Sequence, residues 1–212
     1  EYNLASPNNQ WTGKAFFLQS FAPNKKGQGF SQAAHLEYKS RNWNWRIQEE
    51  MVEDDYRAEV GFVPRNGYVN ITSHIGHLFF PKKSKVVSHG PKISTSYFFN
   101  EKMQRTDNAN VFSYLLAYRN RSSLSISVSD EYIELLSPFD PTRSGKETLN
   151  AGSTHHWNAY MFDYISKPQS MFTYSLGGRF GGYYEGGNRT SLISELGYRF
   201  QPFVSLSSNL SY

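Results

Sequence analysis

Four carboxylates, Glu53, Asp54, Asp55 and Glu59, crowd into one short stretch beside Arg57 and Arg65. Carboxylate oxygens grouped this way are the ligand chemistry of Ca²⁺. The Asp/Asn/Gly spacing of a calcium loop is missing, however, and the interleaved arginines favour a loop held by ion pairs. Histidines offer the next donor set. His155 and His156 are adjacent, so in an extended strand they point to opposite faces and do not share a metal. His74 and His77 differ in parity for the same reason. The chain has no cysteine, which excludes a thiolate metal site and a disulfide framework. The nucleophile-elbow pattern G-x-S-x-G does not occur. Serine, histidine and aspartate are plentiful, but no nucleophile and base stand in a readable constellation. The expectation is a non-enzymatic protein with no catalytic residue, cofactor or metal, an outer-membrane hydrolase being the remote alternative.

Charge points away from nucleic acid as a partner. The formal net charge is +4, but lysine and arginine are scattered among acidic residues, where a nucleic-acid surface needs a basic stripe. Mean hydropathy is −0.61, and no run approaches the roughly 18 apolar residues of a membrane helix. Aromatics nevertheless reach 17%, with 15 Tyr and 16 Phe. β-barrels hide an apolar face by alternation, so a low average is compatible with them.

The elements that would position any site are strands. Met171–Tyr184 carries Phe172, Tyr174, Leu176, Phe180 and Tyr184 on one parity, and Thr173, Ser175 and Arg179 on the other. Alternate side chains of a strand face opposite sides of the sheet. Fourteen residues would extend roughly 45 Å at ~3.3 Å per residue, well beyond a usual strand. The same alternation runs through Phe30–Lys39, Trp43–Val52, Tyr68–Phe80, Pro91–Glu101, Val111–Asn120, Ser123–Tyr132, His155–Ser166, Thr190–Phe200 and Phe203–Tyr212. In Ser123–Tyr132, Leu124, Ile126 and Val128 oppose Ser123, Ser125, Ser127 and Ser129. No helix-period segment competes.

The reading is all-β, an antiparallel up-and-down transmembrane β-barrel with about 11–12 strands visible, over residues 1–212. Phe172, Tyr174, Leu176, Phe180 and Tyr184 are expected to face lipid. Glu37, Lys39, Arg179, Glu195 and Arg199 are expected to face the lumen, where charges line a pore or close it by pairing. Trp43, Trp45, Tyr160, Tyr164, Tyr184 and Tyr198 suit interfacial girdles. Connection lengths add a second signal. Short turns at Ser40–Asn42, Arg121–Ser122, Lys167–Gln169 and Gln201–Pro202 alternate with longer connections at 22–29, 53–67, 102–110, 133–154 and 185–189, the 81–90 loop excepted. Short periplasmic turns and long outer loops are a barrel trait. On that rule more strands are expected after Tyr212, within a larger barrel truncated at both ends.

Three stretches resemble one family of Bacteroidota outer-membrane proteins: Trp11-Thr-Gly-Lys-Ala-Phe, Tyr38-Lys-Ser-Arg-Asn-Trp43, and Ala58-Glu-Val-Gly-Phe-Val-Pro-Arg65-Asn-Gly-Tyr68. Leu196-Gly-Tyr-Arg-Phe-Gln-Pro-Phe203 and Ser205-Leu-Ser-Ser-Asn-Leu-Ser-Tyr212 fit as well. The motif loop Glu59, Gly61, Phe62, Pro64 and Arg65 is the most specific part. Members join an N-terminal carbohydrate-binding domain, similar to family 9 modules, to a C-terminal domain of unknown function. The resemblance implies a C-terminal β-barrel region in the bacterial outer membrane, with no catalytic residues to transfer. Expected partners are outer-membrane lipid, other outer-membrane or periplasmic proteins, and glycans bound through the N-terminal domain. The implied role is the membrane part of a larger surface protein, or an accessory subunit of an envelope complex for transport, assembly or glycan handling. The competing reading is a soluble glycan-binding β-domain.

Overall fold

A computed structural model describes residues 1–21, 29–58, 63, 65–145, 148–200 and 204–212. Twelve strands follow one another in chain order: β1 Tyr2–Ala5, β2 Trp11–Gln19, β3 Phe30–Lys39, β4 Trp43–Val52, β5 Tyr68–His77, β6 Val86–Asn100, β7 Arg105–Tyr118, β8 Ser123–Glu134, β9 Thr154–Ile165, β10 Phe172–Gly182, β11 Asn188–Phe200 and β12 Val204–Ser211. Each pairs antiparallel with its chain neighbour, giving one up-and-down sheet in the order β1 to β12. Among the described residues no pairing joins β1 to β12, so the sheet is open. No helix among them is long and apolar enough to cross a membrane, which says nothing of strands.

The register carries one parity set across the whole sheet. Phe180 lies opposite Tyr160 and Thr190, Tyr160 opposite Val128, and Val128 opposite Phe112. Phe112 meets Ile93, Ile93 meets Ile75, and Ile75 meets Trp45, then Tyr38 and Trp11. These residues form one face, called here the apolar face, and much of it is open: Tyr160 is 62% exposed and Ile126 54%. The opposite face carries Ser125, Ser127, Ser129, Thr72, Ser94, Ser96 and most of the strand charges. Burial is therefore inverted relative to a soluble two-layer fold, in which apolar residues are the ones buried. The hydrophobic core is small, Val52, Tyr56 and Tyr68 with Ala58, Val63 and Phe98 packed on it. Serines, threonine and asparagine, among them Ser129, Thr106 and Asn70, are buried instead.

Antiparallel order puts alternate connections at opposite ends. Connections 6–10, 40–42, 78–85, 119–122 and 166–171 share one end, called the short-turn end. Connections 20–29, 53–67, 101–104, 135–153 and 183–187 share the other, which holds all the longest ones. The boundaries depart furthest from the alternation pattern at three places. The strand starting at Pro91 begins five residues earlier, at Val86. Its ladder with β5 ends at Lys92, so Pro91 pairs only with β7, a local edge where proline is tolerated. The 102–110 loop shrinks to a turn because Arg105–Asn110 belongs to β7. There the Asn100 side chain accepts from the amides of Lys102 and Gln104, both at 3.0 Å, and closes the hairpin. The strand expected to run to Phe80 ends at His77, with an isolated bridge from Phe79 to His89.

Candidate functional site

The polar face gathers its densest network near the long-loop end of β7 to β11. Along β8 the serine row continues in parity to Glu131, and on β9 the facing position is Trp157. Ser129 Oγ donates to Glu131 Oε1 at 2.6 Å, and Trp157 Nε1 donates to Oε2 at 3.0 Å. Arg179 of β10 reaches the same carboxylate at 3.9 Å and donates to the Gly182 carbonyl at 3.2 Å. Its Nη1 is buried without a hydrogen-bond partner among the described residues. The row beneath is small, with Gly181 opposite Ala159 and Ala159 opposite Ser129, so long side chains can lie over it.

Aromatic rings wall the network. The strand alternation expected to reach Tyr184 stops at Gly182, and Tyr184 opens a one-turn 3-10 segment, Tyr184–Gly186. Its ring packs on Trp157 at 4.9 Å, His155 at 5.2 Å and Phe139 at 5.1 Å. Trp157 and His155 are of polar-face parity, so Tyr184 does not share a face with Phe180. The physical reason is that β10 ends at Gly182, after Gly181 takes φ +134, a conformation side chains rarely adopt, and the chain reverses through 183–187. Burial and the negative charge of Tyr183, Asp107 and Glu131 raise the Tyr184 phenol above its ordinary pKa. Arg179 and Arg189 both stand over the Tyr183 ring, at 5.9 and 5.3 Å. Trp157, Tyr183, Tyr184, Glu131, Asp107 and Arg189 line a recess of about 360 Å³. Such a recess offers flat apolar surfaces ringed by hydrogen-bonding and charged groups, the make-up of a small-molecule site.

The other expected lumen residues share that face. Glu37 accepts from Asn44 at 3.1 Å and sits 3.8 Å from Arg46. Glu195 accepts from Ser175 at 3.4 Å. Lys39 and Arg199 stand exposed at the short-turn end. Phe172, Tyr174, Leu176 and Phe180 lie together on the apolar face.

In the motif loop, Glu59, Gly61, Phe62 and Pro64 lie outside the described residues. Arg65 is described, and reaches from the loop to Asp107 and Thr106 on β7, both at 3.1 Å. Its guanidinium also stands over Phe98 at 5.4 Å and Tyr68 at 5.7 Å. Of the neighbouring acids, Glu53 accepts from the Phe30 amide at 3.0 Å. Asp54 donates through its amide to Glu101 at 3.1 Å. His155 meets Ser153 at 2.9 Å, whereas His156 meets Asp130 at 2.9 Å. Among the described residues, no three of His, Asp or Glu converge as a metal site would require.

The sequence reading passed over Glu131, Trp157 and Tyr183. Glu131 was within reach, because it continues the Ser123 to Ser129 parity. Trp157 and Tyr183 meet only across the fold, and no local pattern marks them.

An open meander with one apolar face and one polar, hydrogen-bonded face defines an all-β antiparallel sheet protein. The chain belongs to a family described as a domain of unknown function, DUF5916, whose profile matches residues 1–212. No curated protein and no solved structure matches it.

Proposed function

We propose that this chain is part of an outer-membrane β-barrel, non-enzymatic, whose apolar face meets lipid and whose polar face lines the interior. The observation that carries this reading is the uncovered apolar face running over all twelve strands while serines and most strand charges lie on the other side. A sheet in water hides that face; a sheet in lipid presents it. Connection length follows, with the longest loops at one end. Open edges are not tolerated in a bilayer, so the barrel closes through β1 and β12. These strands run in opposite directions in an alternating sheet of even number, and can pair directly or through an even number of added strands. Its role is the membrane part of a larger surface protein, or an accessory subunit of an envelope complex for transport, assembly or glycan handling. Here the support is the resemblance of the Ala58–Tyr68 motif and its companions to the Bacteroidota outer-membrane family.

The aromatic and charged recess around Trp157 favours a second reading, a soluble glycan-binding β-domain. That reading leaves the apolar face without cover. Paired substitutions separate the two. Leu176→Arg, at the middle of β10 on the apolar face, costs about 2–4 kcal/mol of assembly if that face meets the mid-bilayer, while Ser175→Arg next to it on the polar face is tolerated. The measurement is heat-modifiable folding in detergent and in vesicles. Equal tolerance of both substitutions contradicts the barrel reading.

A further inference from the structure

The two ends of the sheet differ in charge as well as in loop length. At the short-turn end, the connection 40–42 holds Arg41, 78–85 holds Lys82, Lys83 and Lys85, 119–122 holds Arg119 and Arg121, and 166–171 holds Lys167. Not one acidic residue occurs in these connections or in 6–10. All seven side chains are exposed. None has a carboxylate in ion-pair reach among the described residues. At the long-loop end, acids and bases are mixed, as in Glu53, Asp54, Asp55 and Arg57. One of these cations also ties two of the connections together. Arg119 donates from Nε to the Ser84 carbonyl at 2.6 Å and from Nη2 to that of Lys82 at 3.5 Å, fastening the lysine connection to its neighbour.

Next to this rim, on the apolar face, runs a belt of rings. Trp11 meets Tyr38 at 4.9 Å and Trp45 at 5.7 Å; Trp43 meets His77 at 4.4 Å, and His77 meets Phe79 at 4.5 Å. Tyr198 and Phe200 continue it at 4.6 Å on β11. Amphipathic rings settle at the headgroup level of a bilayer, and lysine and arginine just beyond them meet its phosphates.

We infer that the short-turn rim is a docking surface for the phosphates of anionic phospholipid headgroups. The inference rests on the membrane reading above and goes further, because a barrel needs no lipid preference. Two features favour lipid over an acidic protein. The cations are spread over four successive connections instead of forming one patch, and rings of the apolar face stand beside three of them: Trp43, His77 and Phe79 beside 40–42 and 78–85, and Tyr164, Phe172 and Tyr174 beside 166–171. Near an anionic surface each lysine or arginine contributes roughly fivefold in affinity, and salt screens the effect.

The test uses the full-length protein in phosphatidylcholine vesicles carrying the same low mole fraction of brominated phosphatidylglycerol or brominated phosphatidylcholine. The quenching of Trp11, Trp43 and Trp45 is isolated by difference against their phenylalanine variants. Expected is severalfold stronger quenching by the anionic lipid, an excess lost in Lys82→Glu/Lys83→Glu/Lys85→Glu and suppressed by about 0.5 M NaCl. The salt arm needs no variant to fold. Equal quenching by both lipids overturns the lipid preference and leaves the barrel standing, which is also the outcome if the rim serves an acidic protein. Quenching by neither lipid overturns both.

Discussion

Arg179 of β10 lies 3.9 Å from Glu131 of β8, the pair spanning β9 above Ala159, which is fully buried. The carboxylate is the better satisfied partner, since Ser129 and Trp157 also donate to it. The guanidinium is the less satisfied one, with Nη1 buried and without a partner among the described residues.

This asymmetry predicts unequal costs. Glu131→Ala strands a largely buried cation and is expected to destabilise by about 2–3 kcal/mol. Arg179→Met removes the unpaired nitrogen along with the charge and is expected to cost under about 1 kcal/mol, because Glu131 keeps two donors. Denaturant unfolding of both single variants and the double variant measures the coupling. A larger loss for Arg179→Met than for Glu131→Ala would show that the cation governs the network.

Arg65 ties the family-motif loop to β7 through Asp107 and Thr106. Arg65→Ala removes two hydrogen bonds and both ring contacts, so the 53–67 connection is expected to become protease-sensitive while the strands stay folded. Limited proteolysis with mass mapping reads this directly. Cleavage unchanged from the parent protein contradicts the tether.

Gly178 faces Phe162 across the β9–β10 ladder, and a Cβ there would enter the Phe162 ring. Phe162 in turn stacks on Phe180 at 6.3 Å. Gly178→Val is expected to displace both rings and cost about 1–3 kcal/mol by overpacking. Gly178→Val combined with Phe162→Ala should recover most of that loss, which thermal unfolding in the same detergent would reveal.

Two groups in the long-loop connections predict opposite pH responses. The Thr142 hydroxyl and the Gly145 amide hold the Asp140 carboxyl below its ordinary pKa. A lowered folded pKa supports the 140–145 turn above the unfolded value and loses that support as pH falls through the folded one. The Gly145 amide should therefore stay protected through pH ~4 and open only on further acidification. Burial raises the Tyr184 phenol, so its contribution is complete below the unfolded value of ~10 and fades as pH rises through the folded one. A late tyrosinate titration absent from Tyr184→Phe checks this by ultraviolet absorbance.

The strands were legible because the face rule is local. Phe172, Tyr174, Leu176 and Phe180 against Thr173, Ser175 and Arg179 state both faces of β10 within one stretch, and the register keeps them apart. What was not legible depended on neighbours. Thr106-Asp-Asn-Ala-Asn110 looks like turn chemistry, yet β6 and β8 on either side hold it as strand. Tyr184 fits the alternation, and only the reversal after Gly181 turns it to the other face. The Glu131, Trp157, Arg179 and Tyr183 network joins four segments whose proximity exists only in the folded sheet.

An apolar face that meets lipid ties the whole chain to a membrane. The most direct measurement is fractionation of the native, full-length protein with and without detergent. The protein is expected to remain with the outer membrane through high salt and alkaline washing and to be released only by detergent. Recovery as a soluble monomer in detergent-free buffer would contradict a lipid-facing apolar face.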